Sequence, residues 1–248
     1  MSGTQLKADF TLDSYTQLLE RLLQAGYQFR LFPATVKEIA PEGVVYLRHD
    51  IDLDPMAALR LAGIEQALNI KATYFFMITS PIYNLMSPQC RSVICQTLRP
   101  RSAVSVHIDV GARLGAECRS RVTRDCAAFE RYYGIPSNVV SFHRPSTGIL
   151  TATDSAMLTW PRLHTYMPEL FRDIGYFSDS GGMWRNYPLD SDEFKCGRSM
   201  QILVHPEWWQ VTQQTAQERL EDLKRVIDQR FDSYIHSEFT KVFQNARN

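Results

Sequence analysis

No charge of either sign prevails in this chain. Its 27 lysines and arginines match its 27 aspartates and glutamates, which leaves no strong net field to hold nucleic-acid phosphates or an anionic membrane. No apolar run approaches the ~20 residues that span a bilayer. The stretch from Met1 to Phe10 lacks the basic region and apolar segment of a signal peptide, so a cytoplasmic protein with no membrane insertion is expected. Cysteine is scarce. Cys90, Cys95, Cys118, Cys126 and Cys196 are odd in number and form no C-x-x-C pair, which argues against a disulfide frame and against a cysteine-ligated zinc. Reduced thiols in buried packing are expected instead. There is no internal repeat, no low-complexity tract and no glycine-serine or proline-rich linker, so one domain over 1–248 is the simplest organisation. No heptad run or interface signature marks an oligomer.

What is present is an ordinary globular composition, 44% hydrophobic and 22% charged over 248 residues. An α/β barrel of this length can be one domain, burying roughly 70% of the surface of its unfolded chain. Tyr15, Leu18, Leu19, Leu22 and Leu23 recur at helical spacing and stop before Gly26, predicting a helix over Asp13 to Ala25. From Gly43 onward short apolar runs alternate with helical stretches. The strand candidates are Val44 to Leu47, Thr73 to Ile78, Val104 to Val106, Val139 to Phe142, Tyr176 to Phe177 and Ile202 to Val204. Asp54 and Pro55 form a helix start, with the helix running to about Leu68. Further helices are expected from about Gly115 to Tyr133 and from about Thr215 to Phe243, the last with Leu220, Leu223, Val226, Ile227 and Phe231 on one face. This alternation favours a distorted (β/α) barrel of about seven strands over a sandwich.

Polar, titratable groups follow one strand candidate after another: Arg48-His49-Asp50-Ile51-Asp52, His107-Ile108-Asp109, His143-Arg144-Pro145, Ser178-Asp179-Ser180 and His205-Pro206-Glu207. The carboxyl ends of parallel barrel strands open on a common mouth, so these groups should converge in space. Four of the six histidines occupy such positions. Any one of them is more often a hydrogen-bonded structural residue than a ligand, whereas the set, joined by an Asp-x-Asp pair, has the nitrogen and oxygen donors that a metal needs. His164 and His236 fall on stretches that read as helical and belong to packing or surface.

Taken in order, Asp50-Ile51-Asp52, Val104-Ser105-Val106-His107, Ser141-Phe142-His143-Arg144-Pro145, Asp179 with Trp184, and Leu203-Val204-His205-Pro206 resemble the motif series of the polysaccharide deacetylases, the NodB-homology or family 4 carbohydrate esterases. More narrowly they resemble the branch with an His-Asp-x-Asp first motif that is associated with surface-polysaccharide biosynthesis. The resemblance spans about Val44 to Trp209. It implies a NodB-like barrel, a divalent metal and hydrolysis of an N-acyl group, acetyl or formyl, on an amino sugar.

Carried over by position, the resemblance makes Asp50 the general base and Asp52 and His107 metal ligands. The family's usual ligand histidine four positions after the first is absent, because Gly111 stands there. The third ligand then falls to His143, with Asp109 or a water as alternatives. Arg144 matches the arginine that pairs with the base, with an ordinary salt bridge lining the mouth as its plainer role. His205 becomes the proton donor to the leaving amine. Asp179 tunes that histidine unless it merely closes a Ser-Asp-Ser-Gly turn, and Trp184 walls the pocket. Tyr187 and Trp208 could stack on a sugar or belong to core or rim, and the same holds for Trp209. His49 is a supporting or substrate contact. Two imidazoles and one carboxylate with an open position favour zinc. Without a signal peptide, an intracellular nucleotide- or lipid-linked sugar precursor is the expected substrate. Two other readings remain: an amidohydrolase acting on a ureide, cyclic imide or acylated amine, and a non-catalytic carbohydrate-binding relative.

Overall fold

A computed structural model describes residues 9–97, 102–111, 115–151 and 162–245. The sequence opens with α1 (Leu12–Gln24), started by the Thr11 hydroxyl, which accepts the Ser14 amide, and it buries Tyr15, Leu18, Leu19 and Leu22. The strands are β1 (Gln28–Phe29), β2 (Val44–Ile51), β3 (Ala72–Met77), β4 (Ala103–Asp109), β5 (Val139–His143), β6 (Leu163–His164), β7 (Gly175–Ser178) and β8 (Met200–Val204). Between them run α2 (Pro55–Ala67), α3 (Pro88–Thr97) and α4 (Gly115–Tyr133), and α5 (Ala216–Glu238) follows. As expected, Asp54 caps α2, its carboxylate accepting the Met56 amide ahead of Pro55.

Seven strands pair in the order β6-β5-β4-β3-β2-β8-β7, and β1 pairs with β2 off this path. Every pairing is parallel. The sheet curls. Flat, β6 and β2 would lie four strand spacings or ~19 Å apart, yet Tyr166, just past β6, accepts a hydrogen bond from Arg48 of β2 at 3.2 Å. On the open side the Gln201 amide donates to Thr165 O at 2.9 Å and Leu170 O at 2.8 Å, tying β8 to the segment after β6. This is the α/β half-barrel that the alternation predicts.

Side chains alternate across each strand, so register decides what faces inward. Asp50 pairs with Phe75, Phe75 with Ser105, and Ser105 stands one row before His107, which pairs with Ser141. Tyr46, Phe75, Val139 and Leu163 plug the inside of the curl. The opposite faces, with Val45, Leu47, Tyr74, Phe76, Val106 and Val140, form the larger core under the helices.

Several expectations change. His164 is a fully buried strand residue, since β6 is too short to show a period of its own. Burial with Arg48 nearby depresses its imidazole to about 3, so it is neutral. His236 is helical and exposed. Cys90, Cys118 and Cys126 are buried, but Cys95 and Cys196 are exposed. The final helix does not bury its apolar face: Leu220, Val226 and Phe231 are exposed. It is held by Arg219, which donates to Trp208 O at 2.8 Å, and by Arg230, 2.9 Å from Asp54. Among the described residues no helix is long and apolar enough to cross a membrane.

Candidate metal and active site

The mouth at the carboxyl ends of β2, β4, β5 and β8 is a cavity of about 730 Å³. Asp50, Asp52, His107, Asp109, His143, His205 and Trp208 all line it. Asp52 Oδ1 is 3.1 Å from His107 Nε2 and 3.3 Å from His143 Nδ1, and the two nitrogens are 3.3 Å apart. The centre of such a triangle is ~1.9 Å from each corner, close to the ~2.0–2.2 Å of zinc bonds to nitrogen and oxygen. Imidazole protons can bridge these atoms to Asp52, and once those protons are lost the three donor atoms face one common point, so the group fits a divalent metal. Asp109 is not part of it; its carboxylate accepts the Gly111 amide at 2.9 Å.

The ligand orientation is set from behind. His107 Nδ1 bonds to Ser141 Oγ, and that hydroxyl donates to Asp50 Oδ1 at 3.1 Å. An imidazole protonated on Nδ1 keeps the Nε2 lone pair for the metal. Burial of Asp52 disfavours its charge, but hydrogen bonds from His107 and His143 outweigh this and hold its carboxyl far below the ordinary range.

Asp50 is gripped by Arg48, not Arg144. Arg48 Nε donates to Oδ1 at 2.9 Å and Nη2 to Oδ2 at 2.6 Å, with both residues buried. Residues 48 and 50 share the inner face of one strand, so the pair closes within two positions. Burial would push the Asp50 carboxyl up, but Arg48 and then His107 bring it below its ordinary value, keeping it ionised. Arg144 is exposed on the rim with φ +50°.

His205 follows β8 directly, and its Nδ1 is 2.7 Å from Asp179 Oδ1. Asp179 also accepts the His205 amide at 3.0 Å and the Trp209 indole N–H at 2.9 Å. Its carboxylate is thus a built acceptor, while its carbonyl also takes the Gly182 amide at 3.0 Å and closes the turn that follows. Burial opposes protonation of His205, but Asp179 prevails and raises the imidazole to about 10. Its Nε2 faces the mouth, 4.0 Å from Asp52 Oδ2.

Three assigned substrate contacts lie elsewhere. His49 is fully buried on the helix side of the sheet, as alternation from Asp50 requires, 2.7 Å from Glu65 and stacked on Tyr74. Trp184 and Tyr187 line a separate cavity of about 1240 Å³ that meets the mouth only at Gly181. Trp209 is buried and serves Asp179. Residues overlooked in the sequence are Arg48, Ser141 and Tyr166, together with Glu207. The last lines the mouth, is buried, and is raised to about 8 by burial. Arg48, Ser141 and Glu207 stand within quoted motifs, and strand alternation was the signal that placed the first two inward.

No protein-family model and no curated protein matches the chain. Among solved structures it is similar to a peptidoglycan deacetylase from Bacillus subtilis, with 14% identity, a TM-score of 0.45, and coverage of 80% of this chain and 98% of that one. A family 4 carbohydrate esterase from Bacillus anthracis has 14% identity and a TM-score of 0.43, over 87% and 86% of the two chains. A family 4 acetyl xylan esterase from Clostridium thermocellum, in complex with a cobalt ion, has 13% identity and a TM-score of 0.39, over 75% and 84%.

Proposed function

We propose that the protein is a metal-dependent hydrolase that removes an N-acyl group from an amino sugar, the sugar being part of a nucleotide- or lipid-linked precursor of a surface polysaccharide. The observation that carries this reading is the three-atom donor group of Asp52, His107 and His143 placed between an ionised carboxylate, Asp50, and a protonated imidazole, His205. An amide resists water because water is a weak nucleophile and the amine a poor leaving group. A divalent ion, zinc by the donor set, supplies Lewis acidity toward the acyl oxygen and acidifies water when bound at these three residues.

The remaining work belongs to side chains. Asp50 accepts the proton of the attacking water, and Arg48 fixes its two oxygens so that the carboxylate neither turns nor loses charge. Ser141 holds Asp50 and His107 in one hydrogen-bonded line. His205 donates its Nε2 proton to the departing nitrogen, and Asp179 both orients the ring and keeps that proton on it. Trp208 closes one wall.

The test is metal analysis with release of acid from N-acyl amino sugars. Wild type should hold about one ion per chain, and Asp52→Ala and His107→Ala should lose it while staying folded. Asp50→Asn should keep the ion and lose turnover by roughly 10² to 10⁴. Full metal content in both ligand variants sinks the metal assignment. Acid from ureides or acylated amines but from no amino sugar moves the substrate class.

A further inference from the structure

Arg144 lacks the partner that its motif would give it. The carboxylate in question, Asp50, has both oxygens held by Arg48. Among the described residues no hydrogen bond or ion pair engages the Arg144 guanidinium, although its charge is felt by His143, the residue before it. It lines the mouth cavity alongside Asp52, His107 and His205, and among the described residues lining that cavity it is the sole lysine or arginine. Its backbone is left-handed, φ +50°, which is uncommon for a side chain of this kind and concentrates at binding sites, where surrounding structure maintains it.

We propose that Arg144 is the anion-recognition residue of the mouth, binding an oxyanion carried by the substrate beside the sugar whose amide is cleaved. This deepens the reading above and rests on it. A guanidinium presents a planar fork of N–H groups that matches two oxygens of a phosphate or carboxylate at once. A neutral N-acyl sugar offers it nothing ionised. The mouth, at about 730 Å³, has room for a sugar and an attached group. The oxyanion can come from a phosphate linkage at the sugar's anomeric position or from a sugar carboxylate, and both present the same chemistry to Arg144.

Calorimetric binding by the full chain separates the cases. The probes are N-acetylglucosamine 1-phosphate, an N-acetylhexosaminuronate, neutral N-acetylglucosamine and acetate. The proteins are wild type, Arg144→Asn and Arg144→Lys. Asparagine removes the charge yet tolerates a left-handed backbone, so the fold is kept, and unchanged circular dichroism checks this. Wild type should bind one of the anionic sugars at least tenfold tighter than the neutral one. Arg144→Asn should abolish that preference, and Arg144→Lys should restore part of it. Which anionic sugar is preferred identifies a phosphate or a carboxylate source. Equal binding of neutral and anionic sugars by wild type overturns the proposal, as does a preference that survives in Arg144→Asn. It is likewise overturned if Arg144→Asn weakens only acetate, which would tie the arginine to the released acid. Absence of hydrolysis on every amide would strike at the hydrolase reading, whereas these binding contrasts decide Arg144 by themselves.

Discussion

Arg48 and Asp50 form a buried, doubly hydrogen-bonded pair, and removing one member leaves the other charged and unpaired. Such losses cost about 3–5 kcal/mol. Arg48→Met should therefore lower unfolding stability by several kcal/mol in urea titrations and reduce turnover further than stability alone explains, with bound metal retained in the folded fraction. Loss of metal as well would show that Arg48 supports the ligands rather than the base. His205 gives a second residue-scale expectation. Its pKa, raised to about 10, means that the charged pair with Asp179 stabilises the folded metal-free protein fully below ~6.5, the ordinary histidine value, and that this contribution fades as pH rises through 10. The stability gap between wild type and Asp179→Asn should thus be widest below pH 6.5 and narrow toward pH 10. A gap that widens with pH contradicts the pairing. The main error in reading the sequence also sits at this scale. Matching Arg144 to a motif overlooked that alternation along β2 already set Arg48 beside Asp50, and the same alternation sends His49 to the opposite face.

At the scale of elements, what could be read depended on length. β2, β3 and β4 carry five or more inward and outward positions and stood out, although β2 continues through Ile51 because its polar residues are inward-facing rather than loop. β1 and β6 have two residues each, too few for any period, and were missed. α3 was also missed, despite its start at Ser87-Pro88. The positions of Asp52, His107 and His143 could be expected at one mouth because each lies at or near the carboxyl end of a strand; Trp184 and Tyr187 could not be placed, since the loop after β7 carries them into the neighbouring cavity. The α2 cap shows how an element supports the site. Asp54 lies two residues past Asp52 and binds both the helix start and Arg230. Asp54→Ala should cost about 1 kcal/mol in cap energy and weaken metal affinity by loosening the turn that carries Asp52. Unaltered affinity would mean that β2 alone fixes that ligand.

At the scale of the whole molecule, the donors come from strands spread across the sheet, so the site exists only while the sheet is curled. Asp52 and His205 stand directly after β2 and β8, whereas His107 lies within β4 and His143 is the last residue of β5. Hydrogen bonds between β7 and β6 do not close the curl among the described residues; Gln201, together with Arg48 over the Tyr166 ring and Tyr176 tilted against Tyr166, holds it from inside. Gln201→Leu keeps a similar bulk but leaves Thr165 O and Leu170 O unpaired in a buried seam. Each unsatisfied group costs about 1–3 kcal/mol, so a loss of several kcal/mol is expected in denaturant melts. On the proposed metal site, which only the curled form assembles, saturating zinc should recover part of that loss, by about 2.7 kcal/mol at a hundred times Kd. Recovery should vanish in the Gln201→Leu, His107→Ala double variant. If zinc stabilises the double variant as much as the single one, the ion is binding elsewhere and the link between curl and donor group fails.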